Sequence, residues 1–106
     1  MSQRIYLGKS ADSSRVVKVV LGYDRPLNYV FCVVYQGHGR EETILYSNLD
    51  DPRAGISQQD VNYYRPILKE LGISLPEVIF SAVRQDQLEQ ARGNIVVHYD
   101  ELGEIP

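Results

Sequence analysis

The chain has 106 residues, 43% of them hydrophobic, and a formal net charge of −3. This length and composition predict a single folded domain over residues 1–106 and leave little room for a second domain or a deep two-lobed cleft. The acidic balance argues against duplex nucleic acid as a partner, because such binding usually depends on a strongly basic surface.

Four segments in the first half carry the β-branched and aromatic residues that are typical of strands. They are residues 3–8, 15–23, 28–36 and 42–48. The second and third segments are separated by a turn that contains Pro26, and together they predict a β-hairpin. Residues 94–99 predict a last strand, which could join the sheet at an edge or beside the first strand.

Residues 57–92 change to the apolar spacing of three and four residues that is typical of helices. Pro66 interrupts the first helix, which predicts either a kink one turn before it or a helix that begins in that region. The second helix has Ser74 and Glu77 at the spacing of a capping box. Its apolar face changes direction near Asp86, which predicts a break there.

The order of these elements predicts the fold class. Strands that precede two helices favour an α+β fold, with a four- to five-stranded, mainly antiparallel sheet and two helices packed on one face. Residues 99–106 are acidic and are expected to fray.

Few kinds of site chemistry are available to this chain. With one cysteine, Cys32, the chain forms neither an internal disulfide nor a thiolate zinc site. The sequence has no calcium loop, phosphate-binding glycine loop or dinucleotide fingerprint, so we expect no metal and no cofactor. The N-terminus lacks an apolar leader and no apolar run reaches the length of a membrane span. We therefore expect a soluble cytoplasmic protein.

The predicted hairpin is apolar on both faces. Tyr29, Phe31 and Tyr35 share one side of its second strand, and Val30 and Cys32 share the other. A two-layer domain covers one face of its sheet. The second face is therefore covered by a tail or loop, removed by strong curling of the sheet, or used as an interface.

An interface is the interpretation that we develop. We expect a small non-enzymatic protein-binding or regulatory domain whose partner is a protein, most simply a second copy across a two-fold axis. Tyr29, Phe31 and Tyr35 would form the interface, with Asp24 and Arg25 at its rim.

Two alternatives remain open on the sequence. A small hydrolase or nuclease would use His38 and His98 as acid and base, with Arg40 holding an anion. Ordinary structural roles also account for these residues, since Gly37 and Gly39 make a hairpin loop around His38, and His98 fits a half-buried strand-end histidine. The second alternative is single-stranded nucleic-acid binding by stacked tyrosines, against which the net charge argues.

Overall fold

The computed structural model describes residues 1–10, 15–37, 39–54 and 60–105, which form an α+β fold with one mixed sheet and two α-helices. The strands are β1 (Ser2–Lys9), β2 (Val16–Asp24), β3 (Tyr29–Gln36), β4 (Thr43–Ser47), β5 (Ile95–Asp100) and β6 (Gly103–Glu104). The helices are α1 (Arg65–Glu70) and α2 (Glu77–Leu88), with short 3-10 helices at Gly39–Glu41, Asn48–Asp50 and Val61–Tyr64.

The sheet has the strand order β4-β3-β2-β1-β5-β6. Strands β1 to β4 form an antiparallel meander, whereas β5 runs parallel to β1 and places His98 opposite Ile5. The prediction of four to five strands is therefore corrected to six within the described residues. The last strand takes the position beside the first strand, one of the two that the sequence allowed.

The end of the chain is paired rather than frayed. Tyr99, at the start of the segment expected to fray, is buried within β5. Strand β6 folds back on β5, and the Ile105 N–H donates to the His98 carbonyl at 2.8 Å. The expectation of a frayed tail is thus wrong for residues 99–105, because a tight turn after Asp100 lets backbone pairing continue the sheet.

The first helix begins at the position that its proline favours. Val61–Tyr64 forms a 3-10 turn, and α1 then begins at Arg65, with Pro66 in its first turn. A proline costs little there because its missing N–H would have no partner within the helix. The first residues of the predicted helical region, 57–59, lie outside the described residues.

Two predictions for the second helix are wrong. Helix α2 begins after Pro76 without a side-chain cap among the described residues, so the Ser74–Glu77 capping box does not form. Glu77 instead accepts two hydrogen bonds from the Arg65 guanidinium, at 2.7 and 2.8 Å. The helix also continues through Asp86 to Leu88, because the Asp86 side chain is buried and paired rather than placed at a break.

The partner of Asp86 is Arg4 of β1. The Arg4 Nε and Nη2 atoms donate to the two Asp86 carboxylate oxygens at 3.1 and 2.9 Å, and Nη1 donates to the Tyr99 hydroxyl at 3.2 Å. Burial alone would lower the pKa of Arg4, but the hydrogen bonds to Asp86 and Tyr99 outweigh this effect, so the pKa of the guanidinium is raised. The pair fixes α2 against the middle of the sheet.

One core lies between the helices and the sheet face that they cover, which we call the inner face. Buried side chains from alternate positions of β2 and β3 meet the helical residues there. They include Val17, Val19, Leu21, Val30, Cys32 and Val34 from the strands, and Tyr64, Leu68, Ile79 and Val83 from the helical segments. None of the helices in the described ranges combines the length and apolar character needed to cross a bilayer.

Candidate functional site: the outer face of the sheet

The face opposite the helices, which we call the outer face, is also largely apolar. Its apolar residues are Ile5, Leu7, Val16, Val20, Tyr29, Phe31, Val33, Tyr35, Ile44 and Val96. Strand register places Ile5 opposite Val20 and Val20 opposite Val33. A continuous row of branched apolar side chains therefore crosses three strands at the centre of the face.

Water still reaches much of this surface. Leu7 is 44% exposed, Ile44 58% and Val96 53%, whereas Val20 and Val33 at the centre are half-buried by their neighbours. The described helices pack on the inner face and leave these side chains uncovered. The two-sided hydrophobicity predicted for the hairpin is therefore present, with one side in the core and the other at the surface.

Phe31 packs flat across the sheet. Its ring occupies the space that a Cβ atom at position 22 would need, and the Ser2 carbonyl approaches the same point. Gly22 is therefore required inside β2 for close packing, since any larger residue would displace the Phe31 ring or the neighbouring strand. The Phe31 ring therefore lies close against the backbone of β2 at Gly22.

Lys18 is the charged residue nearest the centre of the outer face. It lies between Leu7 and Tyr35 in the strand register, with its Nζ atom 4.5 Å from the centre of the Tyr35 ring. The same Nζ atom lies 3.2 Å from a carboxylate oxygen of Glu42. This lysine is therefore neutralised within its own chain, which leaves little net charge at the middle of the face.

The predicted rim residues belong to the β2–β3 turn at one end of the outer face. Asp24 is opposite Tyr29, and its carboxylate accepts the Leu27 N–H at 3.4 Å. The Arg25 carbonyl accepts the Asn28 N–H at 3.1 Å, while Arg25 itself is exposed. The structure thus brings both residues next to the aromatic surface. The hydrogen bond within the turn is a sufficient structural role for Asp24.

The residues predicted for catalysis do not come together as far as the structure describes them. Arg40 is exposed in the 3-10 helix between β3 and β4, and His98 is exposed on β5, so its expected half-buried position is wrong. Strands β2 and β1 lie between β3 and β5, so β5, which carries His98, is about 14 Å from β3 at the usual strand spacing. His38 lies outside the described residues.

A hydrogen-bonded cluster beside β4 was not predicted from the sequence. The Tyr46 and Tyr63 hydroxyls both donate to one oxygen of Asp51, at 2.7 and 2.8 Å, and the Arg53 N–H donates to the other at 3.0 Å. The tyrosine hydrogen bonds lower the pKa of Asp51, which keeps this carboxylate ionised. Burial and the bond to Asp51 raise the pKa of Tyr46.

Few features of the sequence predict this cluster. Asp51 looks like part of a loop before Pro52, and Tyr63 lies 12 residues further along the chain on a different element. Within the described ranges, no three His, Cys, Asp or Glu side chains are grouped closely enough to hold a metal ion.

The outer face therefore unites the residues predicted for an interface, Tyr29, Phe31 and Tyr35. His98 lies on the same face, opposite Ile5, but the intervening strands separate it from Arg40. Its chemistry is apolar and aromatic, with one neutralised lysine near the centre. No protein-family model, curated protein or solved structure matches the chain.

Proposed function

We propose that this protein is a small binding domain that associates with a second copy of itself through the outer face of its sheet. The observation that supports this is the row formed by Ile5, Val20 and Val33, which continues into exposed Leu7 and Ile44 without a net charge at its centre. Contiguous apolar surface of this kind is rare on monomers and is typical of contact sites.

The size of the face limits the strength of the association. Five strands at about 4.8 Å spacing and about six residues of about 3.3 Å each give a flat area of about 480 Å². Two copies would bury roughly 1,000 Å² in total, which is near the lower limit of specific interfaces. We therefore expect a monomer–dimer equilibrium that depends on concentration rather than a permanent dimer.

Symmetry makes this interface sensitive to charge. In a two-fold dimer the same patch contacts itself, so one substitution near the centre is repeated across the axis. Val20→Lys would place two ammonium groups in the desolvated middle of the interface. Leu88→Lys makes the same change of charge at a residue that is 67% exposed at the end of α2, on the opposite side of the sheet.

The test is the mass of the full chain by sedimentation equilibrium, from micromolar to near-millimolar concentration. We expect the mass of the wild-type chain and of Leu88→Lys to rise from 12.1 kDa towards twice that value. Val20→Lys should stay at the monomer mass, and Tyr35→Ala, which removes an aromatic contact, should shift the equilibrium towards monomer. A wild-type monomer at every concentration, or dimers of both outer-face variants with wild-type affinity, would refute the proposal.

Single-stranded nucleic acid competes for an aromatic sheet face, but the charges on this face do not favour it. Lys18 is already paired with Glu42, and Asp100 alternates with His98 onto the same side of β5. Phosphate groups would therefore meet a surface without a net positive charge. A protein partner, in the cytoplasm where the lone buried Cys32 would stay reduced, fits these charges better.

A further inference from the structure

The two edges of the sheet differ in how they resist pairing with another strand. Strand β6 at one edge has two residues, Gly103 and Glu104, and adjoins the carboxylates of Asp100 and Glu101. Shortness and charge are the devices that usually protect an edge. This edge is therefore closed to further strands.

Strand β4 at the other edge lacks that protection. Its sequence Thr-Ile-Leu-Tyr-Ser has no charged residue and no proline, and Ile44 and Leu45 are 58% and 40% exposed. Its one irregularity is a bulge, which leaves Leu45 without a partner residue in β3. Because β4 ends the sheet within the described residues, the outer side of its backbone faces no neighbouring strand.

Two shallow grooves adjoin β4. One, of about 360 Å³, runs between the strand and the Asp50–Pro52 segment. The other, of about 370 Å³, lies between the strand and α1 and is bounded by Ile67 and Glu70. Leu45, Tyr46 and Asp51 line both grooves, so the two adjoin each other along the strand. Side chains of an added strand would find space in them.

The grooves carry more negative than positive charge. Their lining contains the carboxylates of Asp50, Asp51 and Glu70 but the guanidinium of Arg53 alone. Asp50 and Glu70 are exposed, and Asp51 is held as an anion by its hydrogen bonds to Tyr46 and Tyr63. Lysine or arginine side chains are therefore the complementary groups.

We propose that β4 is a strand-addition site that receives an extended segment of another protein, in which basic side chains alternate with apolar ones. The backbone of the segment would pair with β4, its apolar side chains would contact Ile44 and Leu45, and its basic side chains would face the carboxylates. A second copy of this chain fits less well. Its β4 has no basic residue that could face the carboxylates of Asp50, Asp51 and Glu70.

The test uses the full chain labelled with nitrogen-15 and a blocked heptapeptide, Thr-Lys-Val-Lys-Val-Lys-Thr. We expect the amide signals of residues 43–47 to shift and their hydrogen exchange to slow as the peptide is added. A matched peptide with glutamate in place of lysine should bind at least about tenfold more weakly, and added salt should weaken the lysine peptide several-fold.

Two charge reversals locate the binding energy. Asp50→Lys should weaken the lysine peptide about fivefold, whereas Glu101→Lys, the same kind of change at the β6 edge, should leave its affinity unchanged. Absence of binding up to millimolar peptide, equal binding of both peptides, equal effects of both variants, or shifts confined to the outer face would each overturn the proposal. The same experiment on Val20→Lys, in which association through the outer face is removed, excludes that contribution. A shift of residues 43–47 with the concentration of this variant alone would assign the edge to a second copy and would also overturn the proposal.

Discussion

Asp86→Ala should be among the most destabilising single substitutions in this protein. The Asp86 carboxylate accepts two hydrogen bonds from Arg4, and the two side chains are only 7% and 15% exposed. Removing it leaves the guanidinium desolvated, with the Tyr99 hydroxyl as its remaining hydrogen-bond partner among the described residues. Loss of one partner from a buried pair costs about 3–5 kcal/mol. The residual exposure of Arg4 places our expectation at the lower end, about 3 kcal/mol.

Urea unfolding at 25 °C and fixed protein concentration would measure this change. With a slope of about 1.5 kcal/mol per molar urea, a loss of about 3 kcal/mol moves the midpoint down by about 2 M. The double variant Arg4→Met/Asp86→Leu should recover most of the stability, because apolar residues of similar volume replace a buried pair at little cost. An Asp86→Ala midpoint within about 0.5 M of wild type, or a double variant less stable than the single one, would refute the reasoning.

Two further predictions concern titratable groups. Burial raises the pKa of the Cys32 thiol to about 12. At pH 8 a thiol reagent should therefore label the folded chain only as fast as the chain unfolds locally, whereas it should label the chain unfolded in guanidinium at once. Immediate labelling of the folded chain would contradict this prediction. Hydrogen bonds from two tyrosines lower the pKa of Asp51 in the folded chain, so its stabilising contribution is full above the unfolded pKa of about 3.9 and disappears as the pH falls through the lowered value. The melting temperature of Asp51→Asn should therefore lie below that of wild type by a constant amount above about pH 5, and the gap should narrow below about pH 4. A gap that persists undiminished at pH 2 would show that the carboxylate's charge is not the cause.

Local patterns predicted the elements of this fold better than their arrangement. Alternation of apolar residues located β2 and β3 to within a residue at each end, because side-chain direction along a strand is a local property. The parallel pairing of β1 with β5 joins opposite ends of the chain, and no local pattern records it. Strand β6 was not predicted, because its two residues are too few to show an alternating pattern.

The errors at α2 have one physical cause. A carboxylate such as Asp86 on an apolar helix face normally signals solvent or a helix end, and only a distant partner reverses that expectation. The partner, Arg4, lies 82 residues away in sequence. Glu77 was similarly assigned to a local cap, although it pairs with Arg65 on the preceding helix.

The same distinction applies to the candidate sites. Tyr29, Phe31 and Tyr35 share a face because they alternate along one strand, which the sequence records directly. The groove beside β4 depends on Asp51 and Tyr63, from separate segments, and only folding brings them together.

The central position of β1 has a consequence for synthesis of the protein on the ribosome. Lys9, which ends β1, is made 86 residues before Ile95, which begins β5. At about 5–20 residues per second, this interval lasts about 4–17 s. Throughout it, a nascent meander of β1 to β4 would present the backbone of β1 as an open edge that the finished protein conceals. The emerging chain is thus vulnerable to misassembly at β1 until β5 has been made and pairs with it.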